Sequence, residues 1–469
     1  MIIDALTLLA ILLTAYLLHV YVVYSRTRES VNDILTFVTF LGNETALSKL
    51  FNTSTRFALG HFNFWLRKHD LYKPHGWDIS AAISFWPHVQ VTYTVADPKA
   101  LKEIGAKRTT FPKPLGQYKA LEVFGENIIV SEGDSWKKYR KVASPAFSER
   151  NNQLVWDESV HMLMEFFDEI WKSAEEISID NFVDTALQFG LRVISAASFG
   201  KRMSWCDNHS VPEGHELSFE ETFQVVSRNV FLKVVLPDWL PNLTKRIRKV
   251  RLAFDELKLY MQEVMQRKSL AYAEIENASL FNNLIEANNV DGSGILKLDD
   301  SELISNIFIF LLAGHETTSH TLCFSFGLLA LHQDEQEKLY QHIMSICPDR
   351  LPTYADMPAL TRSLAVIYET LRLFPSVVGV PKQSSEDTTI VVSNEEGETR
   401  SIPVTKETYI VLHTTGAHYN PRYWKDPYEF LPERFLGDWS RDAFIPFSVG
   451  ARSCIGRRHL LTAVNLSEN

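Results

Sequence analysis

The decapeptide from Phe447 to Gly456, Phe-Ser-Val-Gly-Ala-Arg-Ser-Cys-Ile-Gly, contains the residue with the clearest chemical potential, Cys454. A predicted helix begins directly afterwards at Arg457, and a helix N-terminus favours negative charge on sulfur. Gly450 and Gly456 permit tight turns and a close backbone approach to a flat ligand. Backbone N–H groups freed by such turns can donate to the sulfur and tune its electronics. This pattern predicts a thiolate that binds a soft or redox metal; the alternative is a small buried hydrophobic residue.

Trp136 and Arg140 form a second candidate pair. They stand four residues apart in a predicted helix, so they share one face. An indole N–H and a guanidinium on one face suit a carboxylate ligand. The alternative interpretation is an ordinary packing pair.

The third candidate, Ala313-Gly314-His315-Glu316-Thr317-Thr318, interrupts a long apolar predicted helix. The Thr317 hydroxyl can bond the carbonyl four residues before it, and with Gly314 this predicts a local opening of the helix. An acid beside an alcohol, here Glu316 beside Thr317, can relay protons into such a space. The alternative is a buried helix that tolerates two threonines.

Glu369, Arg372 and Arg434 form a fourth group. Glu369 and Arg372 are three residues apart on a predicted helix and can pair. Their apolar neighbours indicate a partly buried pair, which needs a further partner, and Arg434 of Pro432-Glu433-Arg434-Phe435 can supply it. We expect this group to support the fold and to take no part in chemistry.

These four motifs, in their order along the chain from Trp136 to Gly456, resemble those of the cytochrome P-450 family of the eukaryotic microsomal, fungal-like type. The resemblance implies haem b (iron-protoporphyrin IX) with Cys454 as the axial ligand of the iron. It also implies that Thr317 hydrogen-bonds the bound oxygen, that Glu316 delivers protons, and that the salt-bridged group locks the loop before the cysteine. The other haem-binding positions that it implies are Trp136, Arg140, Ala313, Gly314, Lys382, Phe447, Gly450, Arg452 and Gly456.

The resemblance stops after Arg458. Members of the family continue through an apolar helix and a final sheet, whereas 15 residues follow Cys454 here. We expect the ending to reflect a truncated product, a splice variant or an unprocessed intron. The proline-rich hinge that microsomal members carry just past the anchor is also absent or replaced here, since the first proline is Pro74.

Composition narrows the class of protein. The chain has 469 residues and a formal net charge of −10, which argues against nucleic acid as a partner. Apolar residues make up 45% of it, and no Gly/Ser- or Pro-rich linker divides it after residue 75, so one large domain is expected. The four cysteines have no CxxC spacing, which excludes zinc-ribbon and disulfide frameworks and indicates reduced thiols. They are Cys206, Cys323, Cys347 and Cys454.

An uncharged run of 20 residues from Ala5 to Tyr24 is long enough to span a bilayer as a helix. Arg26 and Arg28 follow it, so the charge bias places the rest of the chain on the cytoplasmic side. We therefore expect a single-pass protein of the endoplasmic reticulum membrane with a cytosolic catalytic domain. A cleaved signal peptide is the alternative.

The predicted segments are a membrane anchor (1–25), a linker or membrane-proximal segment (26–75) and a haem domain (76–469). Apolar patches over 34–41 and 57–66 predict further helix, as a second span or a membrane-surface contact.

Alternation over 78–95 predicts a small hairpin sheet, followed by a helix from Asp97-Pro98 to Ile104. A second short sheet is predicted from 388–392, 402–403 and 409–413. Helical periodicity covers 155–172, 182–199, 219–235, 243–276, 301–332, 335–347 and 360–374. The expected fold class is mainly α with minor β-sheets, the cytochrome P-450 fold by resemblance, with an N-terminal transmembrane helix.

By resemblance, the function is that of a membrane-bound haem-thiolate monooxygenase of secondary metabolism. It would insert one oxygen atom from O2 into an apolar small molecule, such as a terpenoid, fatty acid or polyketide. Segments 110–129 and 219–235 would line the pocket that holds this substrate. NADPH-derived electrons would come from an NADPH-cytochrome P-450 reductase, with cytochrome b5 as an additional donor. Four basic residues suit docking of that acidic partner, or form a solvated face: Lys137, Lys138, Arg457 and Arg458. The alternatives are a haem-thiolate isomerase or dehydratase, and an inactive truncated remnant.

Overall fold

A computed structural model of the chain describes residues 2–45, 47–60, 62–172, 174–199, 203–205, 211–235, 244–270 and 298–467. The chain separates into two compact units. The first unit comprises Met1–Pro114, Pro375–Glu429 and Asp438–Ser453, and the second comprises Leu115–Phe374, Phe430–Gly437 and Cys454–Asn469. Cys206 and the ends of the helix predicted over 243–276, namely 243 and 271–276, lie outside the described residues.

The elements are numbered in chain order. The helices are α1 (Ile2–Val31), α2 (Asn63–Arg67), α3 (Pro98–Ala106), α4 (Leu115–Tyr118), α5 (Gly133–Ala143), α6 (Glu149–Glu165), α7 (Phe182–Phe199), α8 (Phe219–Val235), α9 (Lys245–Leu270), α10 (Asp300–Leu331), α11 (Gln333–Ile346), α12 (Thr361–Leu373), α13 (Thr414–His418) and α14 (Arg457–Ser467). The strands are β1 (Leu35–Leu41), β2 (Ile79–Trp86), β3 (Gln90–Val95), β4 (Gly379–Gln383), β5 (Thr388–Ser393), β6 (Thr399–Val404) and β7 (Tyr409–His413). The predicted fold class, mainly α with minor β-sheets, is confirmed.

The larger sheet of the first unit has the strand order β1-β2-β3-β7-β4, and β5 pairs separately with β6. The hairpin predicted over 78–95 is present as antiparallel β2 and β3, with Ile83 opposite Val91. Asp97 then caps α3 by accepting the Ala100 N–H at 2.8 Å, which begins the helix where the sequence predicts it. The fully buried aliphatic side chains of this core include Ile79, Ile83, Val95, Ile410 and Leu412.

Two predictions about the first unit are wrong. The stretch 34–41 is not helical: β1 pairs in parallel with β2, and Leu41 lies opposite Trp86. Its sequence, Leu-Thr-Phe-Val-Thr-Phe-Leu, is rich in β-branched and aromatic residues that fit a pleated surface, and the edge of β2 offers a pairing partner. The strand at 409–413 lies between β3 and β4, and not in the smaller sheet. Its middle residues are buried, as expected for a central strand covered on both faces.

The helix predicted over 57–66 is also mostly absent, because helix begins only at Asn63 in α2. Within the described residues, Thr7–Ile34 is the one helical stretch long and apolar enough to cross a membrane. Its apolar side chains from Leu8 to Tyr21 are exposed, so this stretch has no protein partner in the first unit that covers it.

In the second unit, α10 packs against α7, α9, α11, α12 and α14. A capping box of Asp299 and Glu302 begins α10, and the run from Leu303 to Leu312 is buried in the main core with side chains of α5, α8 and α9. Helix α14 packs on α6, α10 and α12 through a buried apolar face. The helices predicted over 182–199 and 219–235 have the predicted bounds.

Candidate active site

Cys454 lies in the second unit, immediately before the turn that begins α14. It is a free cysteine with an exposed side chain, yet protein atoms enclose its other sides, and this burial raises the pKa of the thiol. Three groups act in the opposite direction: a hydrogen bond from the Gly456 N–H, and the positive charges of Arg140 and Arg457. The sequence prediction of N–H donation to the sulfur therefore has a specific donor, Gly456.

The space around Gly456 does not require a glycine at this position. A Cβ there would lie 3.6 Å from the Phe147 ring and 4.0 Å from the Cys454 sulfur, which are ordinary contacts. The Phe147 ring also packs on the His459 ring, with centroids 4.9 Å apart, so it forms one wall beside the cysteine. Phe147 carries no sequence signal that would have identified it.

Trp136 and Arg140 occupy α5, as predicted, and Trp136 is buried while Arg140 is half-buried. Burial lowers the pKa of the Arg140 guanidinium, and the charge of Cys454 raises it. Arg140 is therefore within electrostatic reach of the sulfur. Lys138 on the same helix forms an ion pair with Glu302 at 2.6 Å, so this candidate docking residue is already engaged.

The motif on α10 differs from its prediction in one respect. The Thr317 hydroxyl donates to the Ala313 carbonyl at 2.7 Å, as predicted, but the helix continues without a break from Asp300 to Leu331. Gly314 serves helix packing instead: a Cβ there would lie 2.5 Å from Cδ1 of Ile194 on α7. Ala313, one turn before Thr317, is exposed on a helix whose preceding residues are buried.

Glu316 faces α8. Its carboxyl is in hydrogen-bond contact with the Ser227 side chain and feels the charge of Arg228, yet burial dominates and raises its pKa. Consecutive helical residues point about 100° apart, so Glu316 and Thr317 present their side chains in different directions. Ser227 is a partner that sequence reasoning missed, because no local pattern marks it.

The predicted ion-pair group is assembled in the second unit. Arg372 donates to Glu369 through Nε at 2.7 Å and through a terminal nitrogen at 2.8 Å, with both side chains fully buried. Arg434 donates its Nε to the same carboxylate at 3.0 Å. The Leu431 N–H, a donor not anticipated, adds a bond of 2.9 Å. Glu369 thus anchors the segment around Pro432–Phe435 to α12.

The remaining sequence candidates belong to the first unit. Gly450 has a φ of +73°, and a Cβ on it would lie 2.2 Å from the Gly105 carbonyl oxygen of α3. Position 450 therefore requires glycine because its backbone lies close to the backbone of α3. The sequence instead predicts a close approach to a flat ligand. Lys382 on β4 and Phe447 are buried, and Arg452 is half-buried at the end of the turn Gly450–Arg452.

The donor set of Cys454 fits haem iron. A single thiolate with an N–H donor and nearby cations is the ligand environment that holds haem iron and tunes it. In the part of the chain that the structure describes, no group of three or more His, Cys, Asp or Glu side chains is arranged to hold a bare metal ion.

Comparison with known proteins agrees with this geometry. The cytochrome P-450 family model matches residues 79–459. Cytochrome P-450 monooxygenase 124 of Postia placenta is 49% identical over 86% of this chain and 78% of its own length. Cytochrome P-450 monooxygenase ORF6 of Penicillium roqueforti is 27% identical, over 84% and 74% respectively. The solved haem domain of cytochrome P-450DA has a TM-score of 0.70 and 20% identity over 87% of both chains, which is a likeness of fold.

The matched span contains the α5 pair, the α10 motif, the buried ion-pair group and Cys454. Membership implies haem, an oxygenase activity of the oxidoreductase class, a redox partner and, in general, a hydrophobic substrate. The chain belongs to the cytochrome P-450 family.

Proposed function

We propose that this chain is a haem-thiolate monooxygenase that inserts one oxygen atom from O2 into an apolar small molecule, using electrons derived from NADPH. The observation that carries the proposal is the environment of Cys454, an accessible thiol with the Gly456 N–H, Arg140 and Arg457 favouring its negative charge. The relatives named as monooxygenases support the reaction class.

Haem, when bound through the Cys454 thiolate, supplies the electron-rich iron chemistry that cleaves the O–O bond. The chain's own residues hold and orient it. Arg140 and Trp136 suit its carboxylates, and we extend that role to Arg452 and Lys382 by resemblance. Because Lys382 has no guanidinium fork, it would supply charge without a bidentate contact.

Two residues of α10 are proposed to handle protons. Burial raises the pKa of Glu316, so its carboxyl retains a proton closer to neutral pH than an exposed glutamate does. Thr317 holds its own proton at Oγ1, in the bond to the Ala313 carbonyl. Donating it elsewhere requires only a side-chain rotation, since the helix itself stays intact.

The electron donor is proposed to be an NADPH-cytochrome P-450 reductase, with cytochrome b5 as an additional donor, in the endoplasmic reticulum membrane. The apolar helix α1 supports an anchor in that membrane. Exposed Arg457, beside the cysteine, suits an acidic partner. The apolar residues of 110–129 and of α8 support a terpenoid, fatty acid or polyketide as substrate class.

Turnover under labelled dioxygen tests the proposal. Full-length protein, reductase and NADPH are incubated with a panel of these apolar compounds, and products are analysed by mass spectrometry. One labelled oxygen atom per product, with strict dependence on NADPH and O2, is expected. Product formed without O2 contradicts the proposal in favour of an isomerase or dehydratase, and failure to take up haem contradicts it in favour of an inactive protein.

A further inference from the structure

His215 lies in the segment 211–218, which leads into α8, and three residues of α9 contact its side chain. Its Nδ1 lies 2.7 Å from a carboxylate oxygen of Glu256, and its Nε2 lies 3.0 Å from a carboxylate oxygen of Glu263. The Tyr260 ring stacks on the imidazole, with centroids 3.7 Å apart and planes 5° from parallel. The three α9 residues follow one another at intervals of four and three, so one face of that helix holds the histidine.

The two carboxylate contacts of His215 depend on the charge of its ring. Both are hydrogen bonds only when each ring nitrogen carries a hydrogen, because an ionised carboxylate can only accept. A neutral imidazole has one N–H, and its other nitrogen then presents a lone pair to a carboxylate oxygen. The side chains of His215 and Glu256 are 2% and 5% exposed, so little water is available to separate them. Loss of one proton therefore replaces one of the two bonds with a repulsion.

The phenol that stacks on this ring does not change charge together with it. The Tyr260 hydroxyl donates to the Leu217 carbonyl at 2.8 Å, which is a second tie between α9 and the segment 211–218. Burial, and after it the negative charges of Glu256 and Glu263, raises the pKa of Tyr260 to about 12. The phenol therefore stays neutral while the histidine titrates.

The charged groups of the other neighbouring elements are engaged elsewhere or lie in solvent. Glu220 at the start of α8 pairs with Arg192 of α7 at 3.5 Å. Glu213 and Glu216, on either side of His215 in the chain, are exposed. Of all these side chains, only a histidine ordinarily changes charge between about pH 5 and 8.

A series of ring contacts connects this site with the α10 motif. The Tyr260 ring packs edge-on against Phe219, with centroids 5.5 Å apart. Phe219 lies 6.2 Å from Phe223, which in turn packs edge-on against His315 at 5.2 Å. Burial lowers the pKa of His315 to about 4, so that ring stays neutral when His215 titrates. The start of α8 is therefore held to α9 at one end and packed on the α10 motif at the other.

We propose that His215 is a pH-sensitive latch that fastens the start of α8 to α9. With both ring nitrogens protonated, the latch joins the segment 211–218 to two carboxylates of α9. As the pH rises and the ring loses one proton, the segment separates from α9. The stability that the latch contributes is thus present at low pH and is lost as pH rises. The first turns of α8 loosen with it, and their packing on the α10 motif becomes dependent on pH.

Hydrogen–deuterium exchange of the haem-loaded full-length chain in detergent micelles tests the latch. Amide protection is followed by mass spectrometry from about pH 5.5 to 8.5, the range in which histidine titrates, after division by the intrinsic exchange rate at each pH. Protection of peptides from 211–227 is expected to fall roughly tenfold across this range, the equivalent of one charge-assisted hydrogen bond.

Three variants assign this loss to the latch. His215→Gln cannot change charge, so its protection should be low at every pH. Glu263→Gln removes one negative charge from a side chain that is 40% exposed, so the loss of protection should occur at lower pH. His161→Gln is the matched control, because His161 is an exposed histidine on α6 of the same unit. Its profile should equal that of the unaltered chain.

A profile of the unaltered chain that does not vary with pH overturns the latch. A pH-dependent loss that persists in His215→Gln, or that disappears in His161→Gln, also overturns it, since another group would then be titrating. If His215→Gln does not fold, Glu263→Gln decides: a loss of protection at lower pH supports the latch, and an unchanged profile overturns it.

Discussion

Glu369 and Arg372 form a two-point ion pair in which neither side chain is exposed, with N–O distances of 2.7 and 2.8 Å. A buried pair of this kind pays for its desolvation only while every partner is present. Here the carboxylate also receives Arg434 and the Leu431 N–H. The group therefore holds α12 to the segment around Pro432–Phe435. Loss of the Glu369 carboxylate would break every one of these bonds at once.

Replacing Glu369 with alanine is expected to lower the free energy of unfolding by about 3–5 kcal/mol, because a buried guanidinium then loses its counter-charge. Guanidinium chloride unfolding of the detergent-solubilised full-length chain measures this loss. Glu433→Ala is the matched control: its carboxylate is partly exposed and 3.4 Å from both Lys338 and Arg362. That change should remove about 1 kcal/mol or less. Equal losses in the two variants would contradict the special role of Glu369.

Gly450 and Gly456 should respond differently to alanine. Gly450→Ala places a Cβ at a left-handed φ, which costs about 1–2 kcal/mol, and against the Gly105 backbone, which cannot rotate away. Gly456→Ala adds only ordinary contacts and should change stability by about 1 kcal/mol or less. Unfolding midpoints of the two variants measure the contrast. If Gly456→Ala proves the more destabilising, the packing described around Phe147 is wrong.

The carboxyl of Glu316 should make stability depend on pH. Its pKa is raised by burial above the usual 4.5, so the folded state binds more protons than the unfolded state above that pH. Stability that Glu316 contributes is therefore present at low pH and is lost as pH rises from about 4.5 through the raised pKa. Unfolding free energies measured from pH 4 to 8 should fall less steeply in Glu316→Gln than in the unaltered chain. Parallel profiles would show that the carboxyl is not buried as described.

Arg140 should matter for haem affinity. The proposed bond from the Arg140 guanidinium to a haem carboxylate is charge-assisted, and such a bond contributes about 1.5–3 kcal/mol. Arg140→Leu is therefore expected to weaken haem binding roughly tenfold to a hundredfold. Arg140→Lys should recover part of the loss, since it keeps the charge but not the fork. Haem titration of the apoprotein, followed by absorbance, measures both. The control is Arg458→Leu, which removes an exposed arginine that pairs with Glu149, and its haem affinity should be unchanged. A similar loss in that control would refute a specific role for Arg140.

Features set by local spacing were predictable from the sequence, and features set by distant contacts were not. The pairing of Glu369 with Arg372, the Thr317 bond to Ala313 and the cap at Asp97 each depend on neighbours within four residues. The strand at Leu35–Leu41 depends on a free edge of β2, and its apolar composition alone also fits a helix. Ser227 beside Glu316 and Gly105 beside Gly450 meet only through tertiary packing. Hence Gly450 and Gly456 look alike in the sequence, but only Gly450 has backbone atoms packed where a Cβ would lie.

The most direct test of the central claim is the reduced carbon monoxide difference spectrum of the full-length protein and of Cys454→Ala. The account predicts a red-shifted Soret band, characteristic of thiolate-ligated haem, in the unaltered protein, and its loss in the variant. An identical band in Cys454→Ala would contradict the assignment of Cys454 as the ligand.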